Sequence, residues 1–127
     1  MSHSVLVVED EPNIVLSLQF VMKKAGFAVR VAEDGEKAIS EISRDLPDLV
    51  LLDIMLPKRD GFAVCEEIRS RPDWSSVKIV MLSAKNREAD KQKALTLGAD
   101  DFLSKPFSTR DLGDRLKRLL GIDVGSD

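Results

Sequence analysis

Two short runs of uninterrupted apolar residues, Val5-Leu6-Val7-Val8 and Leu49-Val50-Leu51-Leu52, each end on carboxylates, Glu9-Asp10-Glu11 and Asp53. A strand apolar at every position buries both its faces, the signature of a parallel sheet covered by helices on either side. Helix-period segments alternate with the apolar runs throughout. The pattern predicts strands at 4–8, 28–32, 49–53, 78–83 and 101–104, and helices at 12–25, 35–44, 61–70, 88–97 and 108–120. Repeated βα units with right-handed crossovers give a doubly wound α/β sandwich. The five-stranded parallel order 2-1-3-4-5 places a switch point between strands 1 and 3. Those are the two strands that end on acids.

Local signals agree with the element boundaries. Pro12 suits a first helical turn, where its missing N–H is no loss, and Gly26 and Gly98 suit helix ends. Ser108-Thr109-Arg110-Asp111 reads as a capping box. In the last helix Leu112, Leu116, Leu119 and Leu120 form a core stripe. Gly113, inside the same helix, costs roughly 1 kcal/mol relative to Ala and has no reason visible in the sequence. On the first helix, Ile14, Val15, Leu18, Val21, Met22 and Ala25 share the core face, with Leu16 and Phe20 on the opposite side.

A chain of 127 residues with 43% hydrophobic content fits one domain. The expected domain covers 4–120, followed by a short loose tail at 121–127 with no output domain. With 19 basic and 22 acidic residues the net charge is −3, which gives no pull toward nucleic acid or an anionic membrane. The apolar runs are too short to span a bilayer, and the N-terminus does not read as a signal peptide. Cys65 is the single cysteine and is expected to be a packed helix residue, in keeping with a reducing cytoplasm. His3 is the single histidine, so histidine chemistry would have to come from another protein. Trp74, in a polar stretch, is expected to pack a helix end.

Carboxylates gathered at one sheet edge repel unless a cation lies between them. Oxygen donors without His or Cys favour a hard ion, and Mg²⁺ takes one or two carboxylates together with waters and phosphate oxygens. Asp10 and Asp53 are expected to bind it directly, Glu9 through a water, with the Met55 backbone carbonyl helping to complete the shell; Mn²⁺ is an expected substitute. Ser83 ends the fourth strand and Lys105 follows the fifth, placing a hydroxyl and an amine at the same edge, the amine on the side opposite the metal. Phosphoryl transfer needs mainly positioning and charge neutralisation, so Asp53 is a candidate nucleophile.

The segments Val8-Glu9-Asp10-Glu11, Asp48 through Pro57, Asp60-Gly61, Leu82-Ser83-Ala84 and Gly98 through Phe107 together resemble bacterial response-regulator receiver domains of the CheY-like, flavodoxin-like fold. The resemblance covers residues 4–120. It implies that Asp53 is phosphorylated by a histidine kinase or phosphotransfer protein, that Glu9 and Asp10 are the metal pair, and that Lys105 contacts the phosphate. It also implies a cis peptide between Lys105 and Pro106, and a switch in which Ser83 moves and Phe102 rotates, remodelling the face made by helix 4, strand 5 and helix 5. Met55 and Lys85 would tune the lifetime of the phosphoryl group. Lys93, Asp100, Asp101, Asp111 and Arg115 resemble a homodimer face, and Leu16 and Phe20 are candidate contacts for the donor protein. Such a chain modifies itself and is not a turnover enzyme. Alternatives are the receiver piece of a DNA-binding regulator or hybrid kinase, a haloacid-dehalogenase-like phosphatase (Met55 stands where its second Asp belongs) and a flavin carrier, whose phosphate Glu9-Asp10-Glu11 would repel.

Overall fold

The computed structural model describes residues 3–84, 87–105 and 107–122. The predicted Lys85 role, the Lys105–Pro106 peptide and most of the tail lie outside or across that limit. Five parallel strands, β1 (Ser4–Val8), β2 (Ala28–Ala32), β3 (Leu49–Asp53), β4 (Lys78–Ser83) and β5 (Asp101–Ser104), form one sheet in the order β2-β1-β3-β4-β5. Five helices alternate with them: α1 (Pro12–Lys24), α2 (Gly35–Arg44), α3 (Gly61–Ser70), α4 (Glu88–Thr96) and α5 (Thr109–Leu119). The strand bounds match the sequence reading. Helices α1, α4 and α5 are shorter by one or two residues, because Ala25, Leu97, Ser108 and Leu120 are caps.

Alternation along the strands divides the core into two layers. Leu6, Val8, Val50, Leu52, Ile79 and Met81 face α2, α3 and α4, where they meet Ile42, Val64, Ile68 and Ala94. Val5, Val7, Leu49, Leu51, Val80 and Leu82 face α1 and α5, meeting Leu18, Met22, Leu112 and Leu116. Ile14, Val21 and Ala25 complete the α1 face as expected, while Val15 is only half-buried at its margin. Fully burying one such side chain stabilises the fold by about 1.5–3 kcal/mol. Leu16 and Phe20 stay 64% and 68% exposed, so they do not pack into α5.

Side chains cap three of the helices. Asp34 accepts from the Lys37 N–H at 2.8 Å, Asp60 from the Ala63 N–H at 2.9 Å and Ser108 from the Asp111 N–H at 3.2 Å. A 3₁₀ turn, Pro72–Trp74, replaces the expected loop; Trp74 is buried there and the Arg71 guanidinium lies 4.2 Å from its ring centre. Cys65 is fully buried, and burial pushes its thiol up to about 11, so it is inert packing.

Two glycines make opposite demands. A Cβ on Gly61 would collide with the Asp53 carbonyl and the Ile54 Cα, whereas one on Gly113 would meet nothing within 4 Å. Gly61→Ala should therefore lower stability, and Gly113→Ala should raise it by about 0.5–1 kcal/mol, the helix-interior glycine penalty. Urea unfolding of the two variants checks both signs.

Candidate functional site

Register brings the acids together. β1 and β3 are neighbours with Val8 opposite Leu52, so Glu9 and Asp53 come next on adjacent strands. Asp53 is paired with Leu82, and Ser83 with Ser104, which sets Lys105 at the same edge. One carboxylate oxygen each of Glu9, Asp10 and Asp53 lies within 4.8 Å of the other two. Glu9 and Asp53 are buried, at 1% and 4% exposure, while Asp10 faces solvent.

Hydrogen bonds hold each group in place. The Glu9 Oε2 accepts the backbone N–H groups of Asp10 at 3.1 Å and Glu11 at 3.2 Å. The Met55 N–H donates to Asp53 Oδ1 at 3.2 Å. The Lys105 Nζ donates to Glu9 Oε1 at 2.9 Å and to Asp53 Oδ2 at 3.0 Å. Lys105, expected on the side opposite the metal, thus bridges two of the acids. The reason is charge: two buried carboxylates on adjacent strand ends need a cation, and the lysine stem reaches between them. One ammonium against three carboxylates leaves the cluster negative.

The pKa shifts follow from this crowding. Burial, reinforced by neighbouring Asp53, pushes the Glu9 carboxyl up to about 7, although Lys105 pulls it back. Burial acts to lower Lys105, but its hydrogen bonds to Glu9 and Asp53 outweigh that and shift it upward.

The remaining predicted residues are placed as follows. Ser83 is buried at the tip of β4, and its carbonyl accepts the Lys105 N–H at 2.7 Å. Phe102 points inward, 7% exposed, in the layer shared with Ala94, Ala99 and Trp74. Met55 is 74% exposed beside Asp53. The residues of the expected dimer face have the following partners within the chain. Arg115 pairs with Asp101 at 3.2 Å and Asp111 at 3.1 Å, whereas Asp100 accepts from Arg69 at 3.0 Å and the Ile79 N–H at 2.8 Å. Lys93 lies 4.4 Å from the Phe62 ring centre. Sequence reasoning missed Arg59 and Lys58, in the loop after Asp53, whose only signal was a basic pair between Pro57 and Asp60.

Residues 5–117 match the response regulator receiver domain family. The chain belongs to that family. It is 44% identical over 120 residues to the alkaline phosphatase synthesis transcriptional regulatory protein PhoP of Bacillus subtilis (strain 168), covering 94% of this chain and 49% of PhoP. The receiver thus spans about half the length of that relative. A response regulator structure from Chloroflexus aurantiacus J-10-fl is 35% identical with a TM-score of 0.92, covering 95% of this chain and 99% of that one. The receiver domain of sensor histidine kinase PA1611 from Pseudomonas aeruginosa PAO1, solved with a magnesium ion coordinated in its active site cleft, is 30% identical with a TM-score of 0.87; coverage is 95% of this chain and 99% of that one. Among the described residues, no helix is long and apolar enough to cross a membrane.

The raised Glu9 carboxyl fixes the sign of a pH effect. The folded protein holds this proton above the unfolded value of 4.5, so the stability tied to it is full at low pH and is lost as pH rises through about 7. Measured in chelator, Glu9→Gln should gain stability over wild type between pH 5 and pH 8, by on the order of 1–3 kcal/mol. An equal difference at both pH values contradicts the assignment.

Proposed function

We propose that this receiver accepts a phosphoryl group on Asp53 from a phosphohistidine of a histidine kinase or phosphotransfer protein, in the cytoplasm. The observation that carries the reading is the bridging of Glu9 and Asp53 by Lys105, with Asp10 beside them. The Met55 N–H and the Lys105 ammonium hold the two oxygens of Asp53, so its carboxylate is oriented before a donor arrives. In the transfer, a bond forms between an Asp53 oxygen and phosphorus while the donor's nitrogen–phosphorus bond breaks, its electron pair leaving with the imidazole. Lys105 then has a phosphoryl oxygen to hold in place of the Asp53 oxygen it donates to now.

The donor set fits Mg²⁺: three carboxylates within reach of one point, with no His or Cys among them. Asp10, Asp53 and Glu9 would hold the ion, and when bound it neutralises charge on the phosphoryl oxygens. Mn²⁺ offers the same chemistry.

Ser83 and Phe102 would carry the response. Ser83 adjoins the acceptor on β4 and Phe102 packs beneath α4, a helix that buries only Ala94 among its residues. A helix so lightly anchored is the natural element to move. The donor's docking surface is read at Leu16 and Phe20, which with Val21 and Gly113 line a groove of about 700 Å³ between α1 and α5. Both helices begin at the sheet edge that carries Asp53. The similarity to PhoP, a transcriptional regulatory protein twice this length, favours a second reading of the output. In it the receiver controls a DNA-binding partner domain, and Lys93, Asp100, Asp101, Asp111 and Arg115 form a homodimer face on which Asp101, Asp111 and Arg115 exchange their present pairing for one across the dimer.

Intact-mass spectrometry after incubation with acetyl phosphate and Mg²⁺ should show one phosphate adduct on wild type. Asp53→Ala, or removal of Mg²⁺ with chelator, should abolish it. A full-stoichiometry adduct on Asp53→Ala contradicts the proposal.

A further inference from the structure

The loop between β3 and α3 contains a strained turn. Lys58 has φ +66°, the one left-handed residue other than glycine among those described. The Arg59 N–H donates across it to the Pro57 carbonyl at 2.7 Å, a two-residue closure around a positive φ that is rare and strained for an L-residue. Such a conformation persists only where its surroundings over-determine it. The loop starts at Asp53 and carries the Met55 N–H that holds Asp53.

Arg59 provides the determination. Its Nε lies 3.2 Å from Glu36 on α2 and its Nη1 pairs with Glu67 on α3. Glu67 also accepts from Arg71 at 2.6 Å, and Arg71 covers Trp74. The Gly35 N–H donates to the Pro57 carbonyl at 3.4 Å, and a Cβ on Gly35 would collide with the Arg59 carbonyl. The backbone of the loop thus rests on the first turn of α2 while the guanidinium ties it to two helices. An isolated exposed pair contributes little, but Arg59 joins a network in which each carboxylate is fixed from a different element.

We propose that Arg59 is a positioning residue for the Asp53 site: clamped between Glu36 and Glu67, it holds the strained Lys58 turn in the form that presents the Met55 N–H to Asp53. The assignment rests on the reading of Asp53 as a metal-assisted phosphoacceptor. A consequence is that Trp74, at the far end of the Arg59–Glu67–Arg71 chain, senses the loop.

The test is a cycle of Arg59→Gln, Arg59→Lys, Lys58→Gly and the Lys58→Gly/Arg59→Gln double variant. Each is titrated with Mg²⁺ while Trp74 fluorescence is followed, and phosphate uptake from acetyl phosphate is read by mass. Arg59→Gln should weaken apparent Mg²⁺ affinity by about tenfold, the size expected from releasing one left-handed residue, and should flatten the Trp74 response. Arg59→Lys, which can reach only one carboxylate, should recover part of the affinity. The double variant should return to near wild-type affinity, because glycine adopts the turn without a clamp. Arg59→Gln with unchanged Mg²⁺ affinity, or a double variant as weak as Arg59→Gln, overturns the proposal. Wild type that neither binds Mg²⁺ nor takes up phosphate would instead overturn the phosphoacceptor reading itself.

Discussion

Everything at the working edge of this sheet depends on the Lys105 ammonium lying between Glu9 and Asp53. Parallel pairing of β1 with β3 brings two buried carboxylates to adjacent strand ends, an arrangement that burial penalises and a cation between them relieves. Removing one partner of a buried charge pair typically costs about 3–5 kcal/mol. The lysine thereby makes the acid cluster compatible with folding, yet it leaves Asp10 and a net negative charge facing solvent. The domain thus folds with one cation of its own among three carboxylates.

The remaining architecture serves that edge. Strand alternation makes two apolar layers beneath the strand tips. Gly61 lets α3 start directly against the Asp53 carbonyl, and the caps at Asp34, Asp60 and Ser108 fix where helices leave the same edge. Helix α4 is the exception: its residues are mostly polar and exposed. The buried apolar layers lie under the site, and the most lightly buried helix lies beside it.

Much of this was legible in the residues. Continuous apolar runs marked β1 and β3 because burial on both faces leaves no polar position, and the acids closing them marked the switch point. The exposure of Leu16 and Phe20 followed from helical periodicity alone. What escaped was set by contacts distant in sequence. The position of Lys105 between two acids depends on the spacing of three strands, which side-chain type does not encode. Asp100 turns to Arg69 and Lys93 to Phe62, contacts across to α3 that local sequence does not encode. Lys58 carries no glycine signal for its left-handed turn; its conformation is imposed by Arg59, Glu36 and Glu67. The 3₁₀ turn was hidden in a polar segment, where Trp74 joins the apolar layer of Phe102 and Ala99 and Arg71 covers its ring.

The most direct measurement is calorimetric titration of Mg²⁺ into wild type, Asp10→Asn and Lys105→Met. If the ammonium and the metal share one set of carboxylates, Asp10→Asn should weaken binding by about tenfold or more, and Lys105→Met should tighten it by removing the competing charge. Unchanged affinity in Asp10→Asn, or weaker binding in Lys105→Met, would contradict the account.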